Sequence, residues 1–348
     1  MPTSDETVSR GPFRWGVLGT GNIARQFCRD LKALPGHELR LVGSRSGNRA
    51  ADFAREFGGT AADGYQGVLD DPGVDAIYVS LPNTLHAEWT INTLGEGRHV
   101  LCEKPLATST AEAEAMFAAA EKADRHLVEA FMYRCHPQTQ AIVEAVRSGE
   151  IGELTHIRAS FCYRTTQIEG NVRFDADLAG GALMDVGCYC LDMMLLLADS
   201  EPTAVSAVTR RHDRGVDVMT AGTVGFANDV AGTFSSGLDT QCDNTLIVAG
   251  TGGYLTTSWP WKPQADAGFT IRHSHKPRQE LKPGESAGAP PERRVDTPAD
   301  LPLYALEARA FERTVRAEAE PFMPRADSLR LARLLDRVRE AADHSSTQ

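Results

Sequence analysis

The sequence predicts an α/β protein: an N-terminal doubly wound parallel-sheet domain, then an α+β domain with a large, mostly antiparallel open sheet. The chain has 348 residues, a length that suits two domains of about 150 residues each. Apolar strand-like runs alternate with amphipathic helical stretches as far as Arg134. Beyond that point several strand-like runs follow one another without helices between them, which changes the expected sheet type.

The alternating half predicts a parallel sheet. Helices are expected between the strands, and Ser109 followed three residues later by Glu112 is typical of a helix N-terminus. Strand–helix alternation at this pitch requires right-handed crossovers and a sheet covered on both faces. We place this domain at residues 12–135. The predicted strands are Trp15–Leu18, Leu39–Gly43, Ala76–Ser80, His99–Cys102 and Leu127–Ala130, and the helices are Asn22–Ala33, Arg49–Phe57, Leu85–Gly95 and Ser109–Ala123.

The second half, residues 136–348, predicts a sheet with few helices. Because most of its strands have no helix between them, much of the sheet is expected to be antiparallel. The Pro-, Gly- and charge-rich stretch Lys262–Asp300 predicts a long mobile loop with edge-strand fragments. The final helices can pack back on the first domain. The predicted strands are Thr155–Tyr163, Thr203–Thr209, Gly222–Phe226, Val230–Ser235 and Thr245–Ala249, and the helices are Pro137–Ser148, Ala182–Leu197, Tyr304–Ala317 and Ala326–Ala342.

Composition argues against several classes of protein. Lys and Arg total 36 against 47 for Asp and Glu, a net charge of −11, and without a basic stripe we expect no nucleic-acid partner. No uninterrupted apolar run reaches the roughly 18 residues of a membrane-spanning helix, and residues 1–10 lack the apolar core of a signal peptide. The seven scattered cysteines, without CxxC spacing, favour free thiols in a cytoplasmic protein and no metal site.

A glycine-rich turn predicts a dinucleotide site. The GTGNIA segment forms a GxGxxA pattern between a predicted strand and a predicted helix. Gly19 permits the tight turn, Gly21 lets the backbone approach a pyrophosphate, and Ala24 permits close packing of helix on strand. Free N–H groups at the helix start would face the anion. The expected cofactor-binding residues in this turn are Gly19, Thr20, Gly21, Asn22 and Ile23.

The end of the second strand predicts which dinucleotide binds. An NAD site places a carboxylate there to accept hydrogen bonds from the ribose hydroxyls. This sequence has Ser44 and Arg45 instead, and Arg49 follows four residues after Arg45. If a helix begins here, both guanidinium groups share one face and suit a 2′-phosphate, to which Ser44 adds a hydroxyl. NADP(H) is therefore preferred and NAD(H) is possible; the alternative is a solvated basic helix start.

Four segments resemble the Gfo/Idh/MocA family of glucose–fructose oxidoreductase and inositol dehydrogenase relatives. The EKP tripeptide after the strand at His99–Cys102 matches the family's signature lysine, and the likeness spans roughly residues 13–250. The resemblance implies a Rossmann domain, a nicotinamide cofactor and a sugar-like substrate. The four segments are Leu81–His86 (LPNTLH), Cys102–Pro105 (CEKP), Glu129–Arg134 (EAFMYR) and Gly180–Tyr189 (GGALMDVGCY).

By this resemblance, several further residues border the cofactor or the substrate. Tyr189 stands where many members carry a histidine, as in the glucose–fructose oxidoreductase, dihydrodiol dehydrogenase and NADP-linked xylose dehydrogenase branch, where tyrosine is the proposed acid/base. Asn171 and Arg173 form an N-x-R segment that also looks like this branch. The expected cofactor contacts are Leu81, Pro82, Asn83, His86, Glu103 and Lys104, and the expected substrate contacts are Arg134, Arg173 and Tyr163.

These residues suggest a mechanism. Hydride transfer from a carbinol leaves a hydroxyl proton that needs an acceptor, and the reverse reaction needs a proton donor. We expect Tyr189 to exchange this proton and Lys104 to orient and polarise the oxygen, while Asp185 holds a substrate hydroxyl or orients Lys104. Asp185 and Tyr189 are four residues apart, hence on one helical face. The alternatives are a core tyrosine, a helix-capping aspartate and a surface lysine.

The sequence therefore predicts an NADP(H)-dependent oxidoreductase that acts on the CH–OH groups of a small polyhydroxylated substrate, a sugar or sugar derivative. The open second sheet favours pairing with further copies into a homodimer or homotetramer. Two alternatives remain at this point. One is an enzyme similar to trans-dihydrodiol dehydrogenase, and the other is a non-catalytic NADP(H)-binding sensor protein.

Overall fold

The structure is a computed structural model that describes residues 11–274, 282 and 291–345. Its first sheet has six parallel strands. The buried side chains of Trp15, Val17 and Tyr78 lie in the core beneath it. The strands are β1 (Phe13–Leu18), β2 (His37–Gly43), β3 (Thr60–Ala61), β4 (Ala76–Val79), β5 (His99–Glu103) and β6 (Leu127–Ala130).

The strand order is β3-β2-β1-β4-β5-β6. Successive strands are added to one side of β1 as far as β3 and to its other side from β4 onward, so the order reverses between β1 and β4. A crevice at the carboxyl ends of β1 and β4 is where such sheets bind ligands. The five predicted strands are confirmed, whereas the two-residue β3 was too short to predict. Ser109 accepts the N–H of Glu112 (3.3 Å) as expected. The helices are α1 (Asn22–Leu31), α2 (Gly47–Phe57), α3 (Gln66–Leu69), α4 (His86–Gly95) and α5 (Thr110–Ala123).

The second sheet has eight strands in the order β14-β13-β12-β11-β7-β10-β9-β8. Only the β7–β10 pair is parallel within the described part of this sheet, so the mostly antiparallel prediction is confirmed. The strands are β7 (Leu154–Cys162), β8 (Pro202–Arg211), β9 (Asp217–Phe226), β10 (Ala231–Gly237), β11 (Leu246–Gly250), β12 (Gly253–Thr257), β13 (Gly268–His273) and β14 (Glu292–Asp296).

The stretch predicted as a long loop with edge-strand fragments contributes the edge strand β14 and its neighbour β13. Phe269 and Ile271 alternate with partly exposed residues along β13 and bury their side chains in the core, which gives the strand one packed face. The predicted strand fragments are therefore present, but their positions could not be predicted because proline and glycine dominate the surrounding composition. Residues 275–281 and 283–290, which belong to the stretch predicted as a loop, lie outside the described part of the chain.

Helices cover both sheets. The helical stretch Ala176–Ala198 is long and apolar enough to cross a membrane, but 89% of that window is buried inside the fold, as in the core helix of a globular protein. The two final helices pack back on the first domain, where the N–H of Tyr304 donates to Asp30 (3.1 Å) and the hydroxyl of Thr110 to Asp336 (2.6 Å). These helices are α6 (Pro137–Arg147), α7 (Cys188–Ala198), α8 (Leu303–Val315) and α9 (Arg325–Ser345), with a π-helical turn at Leu183–Gly187 before α7.

Candidate functional site

The glycine-rich turn lies between β1 and α1 at the carboxyl edge of the first sheet. Gly19 has a φ of +102°, and a Cβ there would lie 2.5 Å from the carbonyl oxygen of Ser80, so only glycine fits. Gly21 caps α1 without a side-chain hydrogen bond, and a Cβ built on it would meet no atom within 4 Å. The open space beside uncapped N–H groups fits the pyrophosphate of a dinucleotide.

The basic segment after β2 differs in detail from the prediction. Helix α2 begins at Gly47, and Ser46 is its N-cap. Arg45 therefore precedes the helix, and the expected helical spacing between Arg45 and Arg49 does not apply. Both arginine side chains are nevertheless exposed at the end of β2. The Ser44 hydroxyl accepts the N–H of Ser46 (3.3 Å), which leaves its O–H free to donate.

The loop after β4 fastens the first domain to neighbouring segments. The Asn83 side chain donates to the carbonyl of Ala179 (2.8 Å). The His86 ring is 1% exposed and lies between the carbonyl oxygens of Leu81 and Pro105, each 2.9 Å from one ring nitrogen. Burial lowers the pKa of His86. The expectation that His86 borders the cofactor therefore needs correction, because its ring is enclosed by protein and instead joins this loop to the segment after Lys104.

Lys104 follows β5, at the same edge of the sheet as the glycine-rich turn. Its ammonium group donates to the carbonyl oxygen of Asp185 (2.7 Å), lies 3.6 Å from the Asp185 carboxylate, and is 4.9 Å from the centroid of the Tyr189 ring. The side chain is 11% exposed. An ammonium carries three N–H donors, so these contacts leave at least one for a ligand.

Asp185 gathers polar groups from three elements. Its Oδ2 accepts from the Tyr163 hydroxyl (2.6 Å), just after β7, and from Nε of Arg173 (2.8 Å), in a 3₁₀ turn at Val172–Phe174. Burial alone would raise the pKa of Asp185, but the charges of Lys104 and Arg173 and the two hydrogen bonds outweigh it and lower the pKa to about 2. The carboxylate therefore stays ionised, and the structure brings together four of the predicted residues.

Tyr189 borders this group with its ring rather than its hydroxyl. The residue is 3% exposed, and its O–H lies 3.5 Å from the sulfur of Met132. A thioether is a weak acceptor, so a ligand oxygen could compete for this donor. Burial raises the pKa of Tyr189 well above its usual value, which keeps the phenol protonated.

Glu103 lies beneath the site rather than in it. The carboxylate is 7% exposed and accepts hydrogen bonds from the Tyr78 hydroxyl and from the N–H of Lys104 (3.3 Å). Burial raises its pKa. These contacts fix the backbone of Lys104, so Glu103 reaches a cofactor only through the lysine that follows it.

Arg134 is a correction to the predicted substrate contacts. Its Nε and Nη2 donate to the two carboxylate oxygens of Asp192 (2.9 and 2.6 Å), and Nη1 donates to Asp327 (2.8 Å). The side chain is 4% exposed. Nothing in the EAFMYR segment distinguishes this arginine from Arg173, since the partner that buries it lies 58 residues away. Arg134 therefore forms a structural ion pair.

Aromatic side chains form a wall behind Tyr189, and the sequence alone did not predict this arrangement. The buried Trp261 indole donates to the carbonyl of Ser160 (2.8 Å), stacks on Phe161 at 5.8 Å and meets the Tyr189 ring edge-on at 6.1 Å. Lys262 follows Trp261 directly and lies within electrostatic range of Lys104. Within the described ranges no group of three or more His, Cys, Asp or Glu side chains could hold a metal ion.

Comparison with known proteins shows which protein families the chain is similar to. A family model described as "Oxidoreductase family, NAD-binding Rossmann fold" matches residues 13–131, and one described as "GFO/IDH/MocA C-terminal domain" matches residues 139–256. Together the two matches extend from β1 into β12. The family resemblance and the fold class predicted from the sequence are confirmed.

Individual relatives are similar over almost the whole chain. It is 32% identical over 330 residues to D-xylose 1-dehydrogenase (NADP(+)) 2 of Haloferax volcanii, covering 94% of this chain and 97% of that protein. It is 31% identical over 334 residues to trans-1,2-dihydrobenzene-1,2-diol dehydrogenase of Macaca fascicularis, with 94% and 96% covered. A 3-ketoreductase from Actinomadura kijaniata, crystallised with NADP and TDP-benzene, has a TM-score of 0.83 at 34% identity, with 95% and 98% covered.

Proposed function

The chain belongs to the Gfo/Idh/MocA oxidoreductase family, and we propose that it transfers a hydride between NADP(H) and the hydroxyl or carbonyl carbon of a sugar or sugar derivative. The observation that carries this proposal is the ammonium group of Lys104. It lies at the same sheet edge as the dinucleotide turn, is anchored by Asp185, and retains at least one N–H donor. Positive charge there suits an oxygen on which negative charge develops.

The preference for NADP(H) rests on the residues after β2. The segment from Ser44 to Arg49 contains two arginines and no carboxylate, so it lacks the acceptor that an NAD-specific site uses for the ribose hydroxyls. Exposed guanidinium groups and the Ser44 hydroxyl can bind a 2′-phosphate. The D-xylose 1-dehydrogenase relative is named for NADP(+), which supports the same choice.

A bound nicotinamide supplies the hydride donor or acceptor. The protein's own side chains bind the substrate oxygen and transfer its proton. Lys104 donates to the substrate oxygen, and its charge stabilises the transition state more than the ground state. Asp185 holds the ammonium group in place through its carbonyl oxygen. Tyr189 supports the ammonium with its ring and offers its hydroxyl as a second donor, because that hydroxyl is bound only to a weak acceptor.

A single substitution can distinguish the role of the Tyr189 hydroxyl in proton transfer from the role of the Tyr189 ring in packing. In Tyr189→Phe the ring remains beneath Lys104 while the donor is lost, so turnover should fall by about 100-fold if the phenol transfers the proton. Affinity for NADPH should not change. Turnover close to that of the wild type would assign proton transfer to Lys104 or to water.

Cofactor choice is tested by titrating the protein with NADPH and NADH while following tryptophan fluorescence. Tighter binding of NADPH is expected, and Arg45→Ala with Arg49→Ala should weaken NADPH binding by about 10-fold or more and leave NADH unchanged. Arg55→Ala is the matched control, because Arg55 lies on α2 but pairs with Asp52 (3.0 Å). Equal affinity for both dinucleotides, or tighter NADH, would contradict the proposal.

A second candidate activity is that of a trans-dihydrodiol dehydrogenase. The rings of Phe161, Tyr189 and Trp261 form an aromatic wall beside Lys104, and such a wall also suits a cyclic diol. The sensor alternative is set aside, because the relatives are named as dehydrogenases and reductases. Assaying aldoses, keto-sugars and trans-dihydrodiols at the nicotinamide absorbance distinguishes the two enzymatic activities.

We further propose the domain limits 12–135 and 136–348 and a homo-oligomer formed through the second sheet. Strand β8 is exposed along most of its length, and the Val208 side chain is 62% exposed, as expected of a face that pairs with another copy. All seven cysteines are free thiols, which supports a cytoplasmic location. Light scattering that gives a monomer mass at micromolar concentration would contradict the oligomer.

A further inference from the structure

The cleft around Asp185 holds more positive than negative charge. Lys104 and Arg173 both direct their charged groups at the single Asp185 carboxylate (3.6 and 2.8 Å). Lys262 adds a third cation within electrostatic range of both. The other nearby carboxylate, Glu103, is buried beneath Lys104 and already bound to the Tyr78 hydroxyl. Even with Glu103 ionised, three cations therefore face two anions.

The backbone of Lys262 is fixed close to the catalytic group. The preceding residue, Trp261, is 2% exposed, is hydrogen-bonded to Ser160 and meets the Tyr189 ring edge-on. The following residue, Pro263, is also buried. The Gln264 side chain donates to the carbonyl oxygen of Lys262 (3.1 Å). The lysine is thus held between two buried residues, and one of them contacts the ring that supports Lys104.

Lys262 is an exposed residue, and among residues 11–274, 282 and 291–345 no carboxylate lies within 4 Å of its ammonium group. This distinguishes it from Lys104 and Arg173, which share Asp185. Partial desolvation in the cleft and the charges of Lys104 and Arg173 lower the pKa of Lys262, and the charges of Asp185 and Glu103 only partly offset them. An ammonium group in such surroundings is stabilised by an incoming anion, which supplies the missing charge.

We infer that Lys262 binds an anionic substituent, a phosphate or carboxylate, on the sugar substrate of this enzyme. The inference rests on the proposed function and narrows its substrate class. Lys104 contacts the reacting oxygen, whereas Lys262 contacts a second part of the same molecule and determines specificity. Nucleotide diphosphates, sugar phosphates and uronates share the required negative charge.

The test compares specificity for charged and neutral sugars. Wild type, Lys262→Met and Lys262→Arg are assayed with NADP(H) on a neutral hexose, the matching hexose phosphate, the hexuronate and a nucleotide diphosphate hexose. The wild type should favour at least one charged sugar by about 10-fold or more in kcat/KM, the effect of one charge-assisted contact. Lys262→Met should abolish that preference through KM with little change in kcat, and Lys262→Arg should keep it.

Two results would overturn the inference. One is a wild type that prefers the neutral hexose, and the other is a Lys262→Met enzyme that keeps the preference for the charged sugar. Lys122→Met is the matched control, because Lys122 is an exposed lysine on α5, outside the cleft. Conversion of neutral sugars alone removes only this inference, whereas failure to convert any sugar with NADP(H) removes the proposed function itself.

Discussion

Two clusters of side chains contain the same three residue types joined in nearly the same way. At the cleft, Tyr163 and Nε of Arg173 donate to Oδ2 of Asp185 (2.6 and 2.8 Å). In the core, Tyr133 and Nε of Arg134 donate to Oδ2 of Asp192, the arginine at 2.9 Å. We call these the cleft cluster (Tyr163, Arg173, Asp185) and the core cluster (Tyr133, Arg134, Asp192).

The two clusters differ in solvent access and in their neighbours. The Arg173 and Asp185 side chains are 35% and 14% exposed, against 4% and 0% for Arg134 and Asp192. Only the cleft cluster touches Lys104. A buried ion pair fixes how the helices and turns that carry its residues pack together. The same pair beside an accessible lysine can instead position the ammonium group of that lysine next to a substrate. Burial and neighbours, not residue type, therefore separate the structural cluster from the one that we propose to act in the reaction.

The largest expected effect is on stability in the core cluster. Arg134→Gln leaves the charge of Asp192 buried and uncompensated, which should cost about 3–5 kcal/mol of unfolding free energy. Arg173→Gln, at a partly exposed site, should cost about 1 kcal/mol or less. Urea denaturation measures both losses. Equal losses would mean that the two clusters have the same structural role.

The next largest effect is on turnover in the cleft cluster. Asp185→Asn removes the charge that faces Lys104 and should lower kcat/KM by about 10- to 100-fold, the size of one lost transition-state contact. The free energy of unfolding should fall by only about 1–2 kcal/mol, the contribution of the ionised carboxylate, because the amide can keep the hydrogen bonds from Tyr163 or Arg173. Unchanged kcat/KM in a folded variant would show that the carboxylate does not position Lys104.

Removing the tyrosine hydroxyl from either cluster should give a smaller difference between the two clusters. Tyr133→Phe leaves a buried carboxylate with one donor fewer and should cost about 1–3 kcal/mol of stability. Tyr163→Phe should affect kcat/KM by about 10-fold or less and stability by less than Tyr133→Phe, since water can replace the lost donor. A larger stability loss in Tyr163→Phe would reverse the comparison.

The smallest effect concerns acid. The pKa of Asp185 is lowered to about 2 from an ordinary 3.8, so its ionised form stabilises the fold at pH above the ordinary value. That contribution, on the order of 1–2 kcal/mol, should be lost as the pH falls from about 4 to about 2. Asp185→Asn should lack this part of the acid dependence. Identical acid titrations of unfolding free energy for wild type and variant would contradict the lowered pKa.

Local sequence patterns predicted much of the fold and part of the site. Gly19 and Gly21 could be placed because turn chemistry is encoded by adjacent residues, whereas Lys104 was predicted from the resemblance to the Gfo/Idh/MocA family. Strand β12 was missed, and the roles of Arg134 and His86 were predicted wrongly. Their contacts come from residues far along the chain, such as Asp192 for Arg134 and Pro105 for His86. Lys262 carries no local signal at all, since its relation to the cleft arises from the packing of Trp261.

The most direct test of the account is NADP(H)-linked turnover by wild type and Lys104→Met, followed at the nicotinamide absorbance over a panel of neutral and charged sugars. The account predicts that the wild type converts at least one sugar and that Lys104→Met loses about 100- to 1000-fold in kcat. NADPH should quench the tryptophan fluorescence of both proteins equally. Equal turnover by the two proteins would contradict the central role given to Lys104.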